Sequence, residues 1–146
     1  MRIVLVNWAK IWHGAARGGG VNGYCQNLAL ELAARGHDVV SLTAGTAPPS
    51  PGKPRDADGE CFIRRHPDWQ KVRLFEVVGS PVKAPSAQQF DFPEAEIHSA
   101  KLESVVAEFM AELRPDVVHF HSLEGWTAGC VSAAAICGAV TIFSLH

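Results

Sequence analysis

Two histidines stand two residues apart at the end of the run Val117-Val118-His119-Phe120-His121-Ser122, and three consecutive glycines, Gly18, Gly19 and Gly20, open the stretch GGGVNG nearer the start. Imidazoles can ligate a metal, move a proton or hydrogen-bond a hydroxyl near neutral pH. A glycine run lets the backbone approach a ligand closely. A helix starting behind it turns unpaired N–H groups and the positive end of its dipole toward that ligand. A diphosphate is the natural guest of such a loop.

Neither motif is complete for a familiar cofactor or metal. GGGVNG has the form G-x-G-x-x-G, but residues 8–17 separate it from the first strand. Ser41, Leu42 and Thr43 occupy the place where a dinucleotide site needs an acidic residue, so NAD is disfavoured. A His-x-His pair holds zinc only when one or two further ligands complete it. His146, Glu124 and the cysteines show no supporting spacing, so no metal site is expected and a hydrolase using His119 and His121 is the weakest alternative. Cys25, Cys61, Cys130 and Cys137 contain no Cys-x-x-Cys pair and are expected as free thiols, the last two on one helix face.

The elements that must position these residues follow from apolar periodicity. Residues 2–7, 37–43, 61–65, 71–78, 116–121 and 139–145 read as strands. A helix is expected from Val21 to a stop at Gly36. A second carries the stripe Leu102, Val105, Val106, Phe109, Met110 and Leu113, with Pro93, Glu94 and Glu96 in its first turn and Pro115 at its end. A small-residue helix fills 124–137. Residues 44–60 hold four prolines and three glycines and are expected as loop. Strands alternating with helices, in apolar runs, predict an α/β class: a Rossmann-like parallel sheet with helices on both faces.

In such sheets ligands bind beyond the carboxyl ends of the strands. His119 and His121 share one face of their strand, and His121, at the rim before Ser122 and Glu124, is the stronger candidate. Trp8, Trp12, Trp69 and Trp126 offer large, rigid aromatic faces on which a ligand could stack. Trp8 and Trp12 are favoured because they precede the glycines, with Arg17 beside them to pair with an acidic group or a phosphate.

Composition narrows the partners. Of 146 residues, 47% are hydrophobic, and 13 basic against 15 acidic residues leave a net charge of −2. No broad basic field favours nucleic acid or anionic lipid. The opening MRIVLVNWAK lacks the pattern of a secretory signal, and no apolar stretch approaches the roughly 20 residues of a membrane span. The expectation is a cytoplasmic protein, with membrane contact at most peripheral at the inner face.

Four blocks in order resemble one family: MRIVLVN, GGGVNGYCQNLALELAARGHDVVSLTAG, RPDVVHFHS and the closing VTIFSLH. Together they are similar to the N-terminal domain of GT-B glycosyltransferases of family 4. The resemblance implies that residues 1–146 are the acceptor-side half of a retaining, metal-independent enzyme. Such an enzyme moves a sugar from a nucleotide-sugar donor to a carbohydrate or glycolipid acceptor, as in polysaccharide assembly, without a further cofactor. It implies that Gly19 and Gly20 lie against the donor diphosphate and that His121 contacts the donor sugar near the reacting centre. His119 is then support, and Ser122, Glu124 and His146 complete the rim. The family's C-terminal donor-binding domain is missing from the sequence, so the chain alone is expected to be inactive. A stand-alone Rossmann-like module that binds a nucleotide or sugar without catalysis is the main alternative.

Overall fold

The computed structural model describes residues 1–44, 61–82 and 97–146. The elements run β1 (Arg2–Asn7), a 3-10 segment (Ile11–Ala16), α1 (Gly19–Ala34), β2 (Asp38–Thr43), β3 (Phe62–Trp69), β4 (Val72–Val78), α2 (Ala100–Leu113), β5 (Val117–Phe120), α3 (Ala128–Ile136) and β6 (Val140–Phe143). They form one six-stranded sheet in the order β3-β4-β2-β1-β5-β6. Every neighbouring pair is parallel except β3 and β4, which form an antiparallel hairpin at one edge. The expected α/β, Rossmann-like class holds, with that hairpin as the departure from an all-parallel sheet.

Local chemistry sets the helix ends. Behind α1, Gly36 takes a left-handed φ of 85°. The N–H of Gly36 donates to Ala33 O and that of His37 to Leu32 O, the Schellman arrangement that satisfies the last carbonyls. The α1 start lies two residues earlier than Val21, at Gly19. The α2 helix begins at Ala100, where the Ser99 hydroxyl accepts from Leu102 N and the Glu103 carboxylate accepts from Ser99 N. The described helix starts behind this reciprocal cap; Pro93, Glu94 and Glu96, expected in its first turn, lie outside the described residues, as does the proline-rich stretch 45–60. Arg114 turns left-handed and Pro115 follows it. The small-residue helix is shorter than expected, starting at Ala128 after the buried Thr127.

Two cores flank the sheet. On one face Ile3, Leu5, Val39 and Leu74 meet Cys25 and Ala29 of α1; on the other Val4, Val6, Val40, Leu42, Val118 and Phe120 meet Leu102, Val106 and Met110 of α2 and Cys130 and Ala134 of α3. Alternation along each strand therefore feeds both faces. Helices cover both faces, as expected, and coverage thins at the edges: β3 is mostly exposed, and Val140, Ile142 and Phe143 of β6 are exposed. All four cysteines are free.

Leu42 is fully buried in the larger core, whereas Ile136 is 85% exposed. Leu42→Ala is expected to cost about 2–5 kcal/mol through lost contacts and a cavity, and Ile136→Ala less than about 0.5 kcal/mol. Denaturant midpoints of the two variants decide it; equal losses would contradict this assignment of the core.

Candidate functional site

From β1 the sheet extends through β2, β4 and β3 on one side and through β5 and β6 on the other, so the chain crosses from one side of β1 to the other between β4 and β5. The loops after β1 and β5 therefore diverge, opening the crevice in which α/β sheets hold ligands. The last row of inward-facing residues under α1 is polar. Register pairs Asn7 with Thr43, Thr43 with Glu76 and Glu76 with Arg64. His121, two residues beyond the His119 that pairs with Leu5, extends the row on the other side of Asn7. Asn7, Thr43, Glu76 and His121 are all buried.

The glycine loop is shaped by a residue that motif reading missed. Asn22, fully buried on α1, accepts a hydrogen bond from Asn7 Nδ2 at 3.1 Å. Its own amide shares two hydrogens among Lys10 O, Gly14 O and Arg17 O at 3.0, 2.8 and 2.8 Å. The loop after β1 is thus wrapped around one side chain. Gln26 adds a bond to Ile11 O. The three glycines then differ. A Cβ on Gly18, whose φ is 106°, would lie 2.6 Å from Ala9 Cβ and 2.7 Å from Asn22 Cβ. Gly18 therefore serves the close approach of loop and helix. Gly19 (φ 60°) and Gly20 face open space. The first helical bond runs from Asn22 N to Gly18 O, so the N–H groups of Gly19, Gly20 and Val21 have no acceptor within the helix. That open turn can take an anion.

Beside it stands a histidine cluster. His121 is 2% exposed, and neither Nδ1 nor Nε2 has a hydrogen-bond partner among the described residues. Its ring stacks on His119 with centroids 3.8 Å apart, and meets Tyr24 of α1 and His146, each at 5.7 Å. Burial, reinforced by the neighbouring His119 and His146, pushes the His121 imidazole down to about 3, so it is neutral at physiological pH. His119 is half-buried and shares a 2.7 Å hydrogen bond with Ser144 Oγ through Nε2. Its pKa is also lowered, by burial and then by His146. Among the described residues no group of three or more His, Cys, Asp or Glu is arranged to hold a metal ion.

The other candidates separate. Ser122 Oγ accepts from Glu124 N at 3.0 Å, closing the turn after β5. Burial raises the Glu124 carboxyl. Arg17 is exposed and makes no ion pair among the described residues. Trp8 is half-buried against the larger core. Trp126 is fully buried in that core and cannot stack on a ligand, which corrects its place among the four possible stacking rings; Trp69 packs on the core beneath α1.

Trp12 lies 5.4 Å from His66, and Lys10 Nζ stands 5.6 Å from the Trp12 ring centroid. Glu76 holds that group together, pairing with Lys10 at 3.1 Å, Arg64 at 2.9 Å and His66 at 2.6 Å. This network was not read from the sequence. Its signal was there: Glu76 interrupts the apolar run of β4 with the parity of Val72 and Leu74.

Burial alone would raise the Glu76 carboxyl, but hydrogen bonds from Arg64, His66 and Lys10 outweigh it and hold it at about 2, against an ordinary 4.5. The folded state thus binds this proton more weakly than the unfolded chain. Its stabilising contribution is complete above about pH 4.5 and is lost as pH falls toward about 2. Glu76→Gln is expected to lower stability at pH 7 and to flatten the acid limb of a urea-midpoint-against-pH curve; an unchanged acid limb would contradict the network. Gly18→Ala is expected to lower the melting temperature by several degrees while Gly20→Ala leaves it within about two, and equal effects would contradict the assigned difference between these glycines.

No curated protein sequence matches the chain. Among solved structures it is similar to the sucrose-phosphate synthase of Thermosynechococcus elongatus, with a TM-score of 0.50 and 20% identity over 82% of this chain. The likeness is one of fold, and the chain spans 27% of that protein's length. The model of the glycosyl transferase 4-like domain matches residues 19–146, from the open glycine turn to the last histidine. By that match the chain belongs to the glycosyl transferase 4-like domain family, with the Rossmann-like α/β fold of one half of a GT-B enzyme.

Proposed function

We propose that the chain forms the acceptor-side wall of a retaining, metal-independent glycosyltransferase that uses a nucleotide-sugar donor. The observation that carries this is His121, buried at the end of β5 with both ring nitrogens unpartnered, against a Tyr24 one turn into α1. A buried imidazole without partners is costly unless something supplies them. A sugar hydroxyl has both a donor and an acceptor to offer, and a neutral imidazole can use either.

Sugar transfer breaks the bond between the anomeric carbon and the diphosphate oxygen, and negative charge collects on the leaving diphosphate. The unpaired N–H groups of Gly19, Gly20 and Val21 and the α1 dipole suit that charge. His121 then holds the sugar, not the charge, because it stays neutral. Trp8 and Trp12 pack against the cores on opposite faces of the sheet, so on this reading either half-exposed ring, with Arg17 of the same loop, offers stacking and ion pairing to a carbohydrate or glycolipid acceptor. Ser122, Glu124 and His146 border the sugar end. The donor nucleotide is assigned to a C-terminal domain; the 27% coverage of the sucrose-phosphate synthase chain is consistent with such a partner. No helix among the described residues is long and apolar enough to cross a membrane.

The test is transfer from radiolabelled nucleotide sugars by the 146-residue chain, alone and joined to a donor-binding domain. Transfer is expected only from the joined protein. There His121→Ala should lower kcat by about 10²–10³-fold, the size of effect seen when one positioned polar group is removed. Full kcat in that variant, or turnover by the chain alone, would overturn the assignment. Because His121 is neutral well above its pKa of about 3, it should contribute no inflection to the rate profile between pH 5 and pH 8. An inflection in that range that disappears in His121→Asn would contradict a neutral role.

A further inference from the structure

The His121 ring has no hydrogen bond of its own, so something else must fix its orientation. One face is covered by His119 at a centroid distance of 3.8 Å and 36° between planes, while Tyr24 meets it edge-on from α1. His119 is held in turn. Its Nε2 shares the 2.7 Å hydrogen bond with Ser144 Oγ. Ser144 is itself docked on β5, because its N–H donates to Phe120 O at 2.9 Å. Residues 144 and 121 thus meet through His119 across two strands.

We propose that His119 is a positioning residue for His121 and that Ser144 fixes His119, so that the end of β6 sets the ring presented to substrate. The proposal rests on the reading of His121 as the group facing the donor sugar. A ring pinned by stacking leaves both buried nitrogens uncommitted to any hydrogen bond among the described residues, which a hydrogen-bonded imidazole could not do. The same stack disfavours charge on either partner, since protonating one puts a cation against the other. The titratable groups facing His121 are His119 on its own strand, Tyr24 on α1 and His146 at the chain end.

The test is an NMR titration of the assigned imidazoles in the 146-residue chain, with amide spectra confirming the fold of each variant. His119→Ala uncovers one face of His121 to water, and its titration midpoint should rise by at least about one pH unit, a tenfold gain in proton affinity. His119→Phe keeps a covering ring and should move the midpoint less. Ser144→Ala leaves both rings in place but frees His119, and should displace or broaden the His121 ring resonances.

A His121 titration and ring signal unchanged in both His119→Ala and Ser144→Ala would overturn the proposal. If His119→Ala does not fold, Ser144→Ala decides alone: displaced His121 signals support positioning, and unchanged ones refute it. In the joined transferase, Ser144→Ala should lower kcat severalfold with the donor KM within about twofold. Displaced His121 signals together with unchanged kcat would uphold the positioning and refute the reading of His121 as the substrate-facing group.

Discussion

A single buried hydrogen bond, from Asn7 at the end of β1 to Asn22 on α1, organises the candidate site. Asn22 has no exposure to solvent, so its amide must find partners inside the protein. It finds them in three carbonyls of the loop between, at Lys10, Gly14 and Arg17. One side chain therefore fixes the shape of the connection between β1 and α1, residues 8–18. That shape requires Gly18, which has no room for a Cβ, and leaves Gly19 and Gly20 open to the crevice. Without it, α1 would still pack through Cys25 and Ala29, but its N-terminal turn would face no defined space.

From that bond a row of buried polar residues runs along the sheet. Thr43 and Glu76 extend it toward the β3 edge, and His121 extends it toward β6. The two ends solve burial differently. Glu76 is compensated by Lys10, Arg64 and His66, and stays charged. His121 has no such partners and stays neutral. The contrast separates a structural anchor, which ties the loop after β1 to the β3–β4 hairpin, from a group whose hydrogen-bonding capacity is unused among the described residues. The first makes the rim rigid; the second is what a ligand would complete.

Much of this was legible in the sequence because apolar strands and capped helices are local patterns. RIVLVN, DVVSLT and VVHF became strands as their β-branched runs required, and the Leu102–Leu113 stripe became α2. The prominence of His121 was also legible, since alternation placed it on the inner face at a strand end. What escaped notice depended on pairing between distant strands. Glu76 looks like an ordinary charge until register sets it beside Thr43 and Arg64. Asn22 looks like a helix-surface residue until the loop folds over it. Trp126 looked like a stacking surface because aromatic type carries no information about depth, and it is core. The antiparallel placement of β3 likewise depends on a hairpin turn at Gln70 and Lys71, both in the left-handed region, that no glycine announces.

An amide-resolved NMR titration of the 146-residue chain with a nucleoside diphosphate, such as UDP, bears most directly on the crevice as a diphosphate site beside a neutral, unpartnered histidine. Weak, saturable shifts are expected, centred on the backbone amides of Gly19, Gly20 and Val21 and on the His121 ring, with the β3 edge silent. Saturable shifts centred elsewhere, or none at millimolar ligand, would contradict a diphosphate site there.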